Sequence, residues 1–177
     1  KSVRSSDPDA ALYWLARMLE GGEDRLFILR RLVRIASEDV GLADPRALEQ
    51  AMASVKAFRL LGEPEGDLVL AQVTIYLAMA PKSDAIYKAL GFARDDVQNL
   101  VNEPVPLHLR NAPTKLMKEL GYNEGYQHAH NFEGALANMD CLPEALRGRQ
   151  YYIPTNRGIE GRISKRLQEL REHVRKG

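Results

Sequence analysis

Three observations predict that this 177-residue chain is all-α. Apolar residues recur every three or four positions along five segments of its first hundred residues, which is the spacing of an amphipathic helix. Two Asp-Pro pairs, at residues 7–8 and 44–45, are typical of helix starts, because aspartate caps free backbone N–H groups and proline suits the first turn. No segment alternates apolar and polar residues as a strand does. Short connections between the helices favour a compact multi-helix bundle.

The first three helices have clear starts and stops. The first runs from Asp7-Pro8 to the glycines at 21–22, the second from about Asp24 to Gly41, and the third from Asp44-Pro45 to Gly62. Each presents an apolar face to a predicted core. The predicted core faces carry Leu12, Leu15, Met18 and Leu19 in the first helix, Phe27, Leu29, Leu32, Val33 and Ala36 in the second, and Leu48, Ala51, Met52 and Val55 in the third.

The remaining helices follow the same logic. A fourth helix from about Glu65 to Met79 is apolar on most sides, so it is predicted to be central, and Pro81 ends it. Ser83, followed by Ile86, Ala89, Leu90 and Val97 at helical spacing, predicts a fifth helix. A helical turn is predicted at 143–146, an extended segment at 151–154, and a last helix over about 158–175.

Residues 102–142 form a predicted irregular insert between the fifth and last helices. Prolines, histidines and aromatics interrupt it, with one short helical run. Long inserts of this kind are functional or disordered. This one is predicted to be ordered because it has apolar side chains to bury, namely Leu107, Leu109, Leu116, Met117, Tyr122, Tyr126 and Phe132.

Composition excludes several classes of protein. A net charge of +1 gives no overall attraction to nucleic acid or membrane, and no apolar run reaches the ~20 residues that span a bilayer. A lone cysteine, Cys141, fits a reducing compartment, so a cytoplasmic location is expected. We find no glycine-rich phosphate loop of the P-loop type, so ATP hydrolysis is not assigned to these residues. A single domain over residues 1–177 is the simplest organisation.

Two clusters could carry chemistry, but each has a simpler explanation. His128, His130, Glu133 and Cys141 are metal-ligand types, yet no complete set of four ligands is evident, and ordered-loop histidines beside a small apolar cysteine explain them better. The carboxylates of Glu38 and Asp39 resemble an acid–base pair. The four-residue spacing from Arg34 to Glu38 favours an ordinary helical ion pair instead. No catalytic, cofactor or metal residue is therefore assigned.

Positive charge is concentrated at the C-terminal end. Residues 147–177 carry a net charge of +6, whereas the first 146 residues carry −5. Arg162, Lys165 and Arg166 share one helix face and are candidate DNA-phosphate contacts, although Glu169 interrupts this face and a solvated helix surface explains the pattern equally well. Arg110 and Lys115, beside the predicted cap Thr114, form a second candidate anion site. The alternative is that Lys115 points to solvent.

Several unusual strings occur in an order that resembles one protein family. They are SSDPDAALYWLARMLEGGED, RRLVRIASEDVGLADPRAL, LHLRNAPTKLMKELGY, AHNFEG and YYIPTNRGIEGRI, and they cover nearly the whole chain. The chain is similar to the C-terminal region of the RarA/MgsA group, the replication-associated recombination protein A ATPases that are related to the Werner-helicase-interacting protein. This resemblance implies a clamp-loader-collar-like helical domain. It also implies that the AAA+ motor, which would bind ATP and magnesium, precedes the sequence in a longer protein.

The resemblance implies an assembly function for this region. The expected partner is a second copy of the chain, with a tetramer as the expected oligomer, and Tyr122, Tyr126, Tyr151 and Tyr152 are candidate interface residues because tyrosine is enriched at interfaces. The alternative is a DNA-binding element that uses the basic last helix. A nucleoid-associated parent that works with DNA and single-stranded DNA-binding protein is also implied. An independent metal enzyme built on His128 and His130 is the third hypothesis.

Overall fold

A computed structural model of the chain describes residues 1–100, 103–132, 134 and 136–176, with side chains described as far as residue 173. The all-α class is confirmed, since these residues form seven α-helices and no strand. None of the helices in these ranges is long and apolar enough to cross a membrane. The helices are α1 (Pro8–Glu20), α2 (Arg25–Ile35), α3 (Arg46–Leu61), α4 (Asp67–Met79), α5 (Ala85–Asn99), α6 (Lys115–Glu119) and α7 (Glu160–Lys176).

The chain divides into two compact units. The first unit comprises Lys1–Ala89 and Tyr152–Ile163, and the second comprises Leu90–Tyr151 and the part of α7 from Ser164 onward. The first unit thus contains α1–α4, and the second contains α6 and most of the irregular insert. That the whole chain behaves as a single domain stays a prediction.

Helix α4 is the centre of the first unit, as its uniform apolarity predicts. It packs against α1, α2 and α3. Leu70, Val73 and Leu77 on α4 are at most 1% exposed. Around them lie Leu15 of α1 and Leu29 of α2, which are also fully buried. A single apolar cluster therefore holds the four helices together, and burial of each large aliphatic side chain contributes about 2 kcal/mol.

Aspartate caps define the helix starts. The side chain of Asp7 accepts a hydrogen bond from the Ala10 amide at 2.9 Å, and that of Asp24 accepts one from the Leu26 amide at 2.8 Å. The third start differs slightly, because Pro45 is the residue before α3. There, one carboxylate oxygen of Asp44 accepts from the Arg46 amide at 3.1 Å while the other accepts the Tyr76 hydroxyl at 2.6 Å. Asp44 thus joins the start of α3 to α4.

The predicted core faces of α1–α3 need correction. Several large residues predicted to be buried are 38–42% exposed, and small residues take their place at the helix contacts. Ala11, Ala47 and Ala51 are buried because a methyl side chain lets two helix backbones approach closely. Periodicity finds the apolar stripe but not which edge of it faces the neighbour. The exposed residues are Leu12, Met18, Phe27, Leu48 and Met52.

The second predicted helix changes its geometry before it ends. Helix α2 stops at Ile35, and Ala36–Val40 form a π-helical turn. Gly41 follows with φ +54°, and a Cβ there would lie 3.3 Å from the Ser83 carbonyl oxygen. The Ser83 amide donates to the Asp39 carbonyl at 2.8 Å, so this wider turn anchors the segment before α5. Single π turns of this kind are often found at functional positions.

Two apolar regions are largely exposed, α5 and the insert, and for the insert this corrects the prediction that its apolar side chains are buried. On α5, Ile86, Leu90 and Val97 are 37%, 51% and 72% exposed. In the irregular insert, Leu107, Leu116, Tyr126 and Phe132 are also exposed, while Leu109, Met117 and Tyr122 are half-buried. In its described residues the insert contains α6 and short 3-10 turns, which present no broad apolar face for these side chains to pack against. Asn102, Glu133 and Ala135 of this insert lie outside the described residues.

Candidate functional site

The most strongly organised polar site lies in the first unit and centres on Glu160, the first residue of α7. Its side chain is fully buried. One carboxylate oxygen accepts from the Ser83 hydroxyl at 2.7 Å, the Thr155 amide at 2.9 Å and the Thr155 hydroxyl at 2.6 Å. The other accepts from the Tyr152 hydroxyl at 3.0 Å. These four donors fix the 152–160 segment against the residues that precede α5.

The charge state of this site follows from burial and hydrogen bonding. Burial alone would raise the pKa of Glu160, but the hydrogen bonds from Thr155, Ser83 and Tyr152 favour the ionised form and hold the pKa below its ordinary value. Burial, and then the neighbouring Glu160 carboxylate, raise the pKa of Tyr152 to about 12. An ionised, fully hydrogen-bonded carboxylate is a weak base, so this arrangement suits positioning rather than proton transfer.

Gly158 makes the close approach to this site possible. It has φ +54°, and a Cβ at this position would lie 2.0 Å from the Ala43 carbonyl oxygen. The same carbonyl accepts the Ile159 amide at 2.9 Å. The sequence analysis did not identify Glu160 or Gly158 as important residues. The available signal was an acidic residue in the first turn of a predicted helix, which is common on exposed helices as well.

The two residues of the predicted anion site, Arg110 and Lys115, have different surroundings. The Arg110 guanidinium donates to the Val105 carbonyl at 2.7 Å and to the Tyr122 hydroxyl at 3.2 Å, and it lies over the Tyr122 ring at 5.1 Å. The Lys115 side chain is exposed and lies 3.8 Å from Glu119. Thr114 caps α6 by accepting from the Met117 amide at 3.3 Å, as predicted. Arg110 thus has partners within the chain, and Lys115 faces solvent.

The predicted DNA contacts on α7 are exposed. Arg162 and Lys165 have no ion pair among the described residues, whereas Arg166 lies 3.1 Å from Glu169. Glu169 therefore interrupts the basic face, as the sequence indicates. The side chains of Arg175 and Lys176, which contribute to the charge of the C-terminal end, lie outside the described part.

All four predicted interface tyrosines make contacts within the chain. Tyr122 is half-buried beneath Arg110, Tyr151 lies 5.9 Å from the Arg149 guanidinium, and Tyr152 donates to Glu160. Tyr126 is 38% exposed and packs edge-on against His128 with ring centroids 4.8 Å apart. Of these tyrosines, Tyr126 has the most surface to offer a partner.

The weaker candidate clusters have simple contacts. Arg34 lies 2.6 Å from Glu38, which confirms the predicted ion pair, and Arg4 reaches both Glu38 at 3.4 Å and Asp39 at 2.8 Å. Within the described residues, no group of three or more histidine, cysteine, aspartate or glutamate side chains could hold a metal ion. Glu133, a member of the proposed metal cluster, lies outside those residues.

Comparison with known proteins places the chain in a family. Residues 5–171 match the family described as MgsA AAA+ ATPase C terminal. Replication-associated recombination protein A of Coxiella burnetii is 52% identical over 173 residues, and the Escherichia coli protein of that name is 50% identical over the same length. Both alignments cover 97% of this chain but 39% of the relative.

A eukaryotic relative extends the comparison. ATPase WRNIP1 of Dictyostelium discoideum is 43% identical over 153 residues, which are 86% of this chain and 18% of that protein. The strings that suggested the resemblance lie inside the matched region, and the predicted family is confirmed. The chain belongs to the MgsA AAA+ ATPase C-terminal family, and it corresponds to the C-terminal region of replication-associated recombination protein A.

Proposed function

We propose that this chain is the oligomerisation domain of an AAA+ ATPase that acts in replication-associated recombination. The observation that carries the proposal is the exposed apolar stripe of α5, formed by Ile86, Leu90 and Val97. These residues lie four and seven positions apart, on one face of the helix. Exposed apolar stripes of this kind mark surfaces that bind another protein. A tetramer is the oligomer that the family resemblance implies.

Introducing negative charge on this apolar stripe tests the proposal. We expect the unmodified chain to sediment as a multiple of its 19.9 kDa mass at micromolar concentration. A variant that combines Leu90→Glu and Val97→Glu should sediment as a monomer, since a buried unpaired carboxylate costs several kcal/mol. Leu60→Glu on α3 is a matched control, because Leu60 is exposed and lies on a different helix. A monomeric unmodified chain contradicts the proposal.

The wider role belongs to the longer protein. We propose that an AAA+ motor in that protein binds ATP and magnesium and that this chain alone does not hydrolyse ATP. The parent would act in the cytoplasm, in association with the nucleoid, on DNA and with single-stranded DNA-binding protein. A phosphate-release assay on the purified chain tests the first part, and measurable turnover that survives further purification contradicts it.

A second candidate function is direct DNA binding by α7, favoured by the exposed Arg162 and Lys165. Contacts to phosphates release counterions, so the affinity should fall steeply as salt increases. A triple variant with Arg162, Lys165 and Arg166 changed to glutamate should bind oligo(dT) at least about tenfold more weakly in fluorescence anisotropy. Lys56→Glu with Arg59→Glu on α3 is the control. Equal affinity in the triple variant and the control removes α7 from the proposal.

A further inference from the structure

An apolar groove lies in the first unit between α1 and α2. Its volume is about 430 Å³, within the range of small-ligand and peptide pockets. Trp14 and Met18 of α1 form one wall, and Phe27, Ile28 and Leu32 of α2 form the other. Trp14, the single tryptophan of the chain, is 53% exposed. A groove with these walls favours an apolar side chain as its occupant.

One polar atom of the groove lacks a partner. Thr74 of α4 lines the groove together with Leu15 and Ile35, and its side chain is 3% exposed. Its hydroxyl oxygen is buried and has no hydrogen-bond partner within the described residues. A buried hydroxyl without a partner costs about 1–3 kcal/mol, so such groups are rare unless a ligand or water completes them.

The rim of the groove is basic. Arg31 lines it directly, Arg17 lies 5.7 Å from the centre of the Trp14 ring, and Arg30 lies 5.4 Å from the centre of the Phe27 ring. In the described part of the chain, none of these three arginines forms an ion pair. Arg25 and Arg34, which also lie on α2, do form ion pairs. Three arginines without acidic partners around an apolar groove give a site that is complementary to negative charge.

The aromatic rings distinguish between two kinds of anionic partner. Single-stranded nucleic acid binds by stacking bases on exposed ring faces. Here arginines lie over the faces of Trp14 and Phe27, and the Tyr13 ring packs edge-on against Trp14 with centroids 5.3 Å apart. Lys1, Ser2, Arg31 and Thr74 are the polar residues of the lining, and the rest of it is apolar, which suits leucine or phenylalanine side chains rather than bases. The groove therefore fits a protein segment better than a nucleic acid.

We propose that the α1–α2 groove binds an acidic, amphipathic segment of a partner protein, with apolar side chains between α1 and α2 and carboxylates on Arg17, Arg30 and Arg31. Aromatic and arginine side chains at the centre of a contact are the types that contribute most to binding. This site lies on different helices from the α5 stripe, so it does not depend on the proposed self-association. The ligand class is a short peptide that combines leucine or phenylalanine with aspartate or glutamate.

The single tryptophan gives a direct measurement. The probe is the synthetic peptide Asp-Glu-Asp-Leu-Phe-Asp-Leu-Phe-Asp, titrated into the full chain while Trp14 fluorescence is recorded. We expect a saturable change with a Kd on the order of 10 μM. Replacing the acidic residues of the peptide with lysine, or its apolar residues with serine, should each weaken binding at least about tenfold.

Matched variants locate the binding site. Met18→Glu and Arg31→Glu should each weaken binding at least about fivefold. Met79→Glu on α4 and Arg59→Glu on α3 change the same residue types outside the groove and should leave the affinity unchanged. Circular dichroism of each variant confirms that it is folded.

Three outcomes would overturn the proposal. The first is no saturable change with this peptide up to about 1 mM, well above the weakest useful affinity. The second is equal affinity in Met18→Glu and Met79→Glu, which would place the peptide elsewhere. The third is a change in Trp14 fluorescence with oligo(dT) but not with the peptide, which would assign the groove to nucleic acid. If Met18→Glu instead lowers the oligomeric mass and the peptide does not bind, a second copy occupies the groove.

Discussion

The two units of this chain are built on different principles. Every buried side chain among the described residues lies in the first unit, where α4 is enclosed by α1, α2 and α3. The second unit has no fully buried residue in its described part, and its apolar side chains are half-buried or exposed. The first unit is therefore stabilised by its own apolar core, whereas the described part of the second unit is held mainly by polar contacts.

The contacts inside the second unit are mainly polar. Arg149 binds Asp96 through two hydrogen bonds of 2.7 and 3.1 Å. Arg147 reaches Asp140 at 3.2 Å, and His108 hydrogen-bonds the Asp140 carbonyl at 2.8 Å. Exposed ion pairs contribute about 0.2–1 kcal/mol each. Such contacts specify a conformation but stabilise it far less than the core of the first unit does.

Two glycines that both have a positive φ, one in each unit, give the largest predicted difference in the stability effect of a substitution. Gly158→Ala should lower the free energy of unfolding by about 4 kcal/mol, because the new methyl group meets the Ala43 carbonyl. Gly148→Ala in the second unit should cost about 1 kcal/mol, since it has φ +76° but open space around it. Urea unfolding monitored by circular dichroism measures both. Equal losses would contradict the close approach at Ala43.

Two leucines test the difference in packing directly. Leu70→Ala in α4 should destabilise the chain by about 3 kcal/mol, because Leu70 is fully buried in the core. Leu116→Ala in α6 should cost less than about 0.5 kcal/mol, because most of Leu116 is already exposed. The same urea titration applies. A loss at Leu116 that grows with protein concentration would show that another copy covers this residue.

The Glu160 site predicts that the stability of the first unit depends on pH. Glu160→Gln should lower the free energy of unfolding by about 2 kcal/mol at neutral pH, because it replaces a charged acceptor of four hydrogen bonds. The pKa of Glu160 is lower when folded than its ordinary 4.5. Its stabilisation is therefore complete above the unfolded pKa and disappears as pH falls through the lower folded pKa.

Urea midpoints of wild type and Glu160→Gln, compared from neutral pH down to below pH 4.5, check this sign. The difference in urea midpoint between the two proteins should become smaller only at the acidic end of this range. Glu169→Gln, on the exposed surface of the same helix, is the control and should show no gap. A gap that widens in acid would mean that Glu160 is protonated in the folded chain.

The smallest effect belongs to the ion pair of the second unit. Arg149→Ala should lower the free energy of unfolding only slightly, since the arginine side chain is half exposed and the pair is screened by solvent. Hydrogen bonding from Arg149 lowers the pKa of Asp96, which agrees with an ionised partner. Urea unfolding at low and high salt measures the effect, and the difference should shrink as salt increases. A large, salt-independent loss would show that the pair is buried by another surface.

The sequence predicted the features that depend on local chemistry. The cap at Asp7, the helix start at about Asp24, the central position of α4 and the Arg34–Glu38 pair all follow from short-range rules. The family strings also located the correct region of a longer protein.

What the sequence did not predict depends on long-range contacts. Glu160 meets Ser83 across 77 positions of the chain, and no local pattern specifies that pair. Ala51 is buried as predicted, but Ala47 is buried beside it while Leu48 and Met52 are 42% exposed, and only the packed structure determines this choice. The groove between α1 and α2 likewise joins residues whose exposure cannot be read from periodicity.

Amide hydrogen exchange as a function of protein concentration tests the contrast between the units most directly. The account predicts that amides in α4 are protected at every concentration, because the core of the first unit needs no partner. The proposed self-association predicts that protection in residues 103–132 and in the exposed half of α5 rises with concentration. Protection in both units that is equal and independent of concentration would contradict the account.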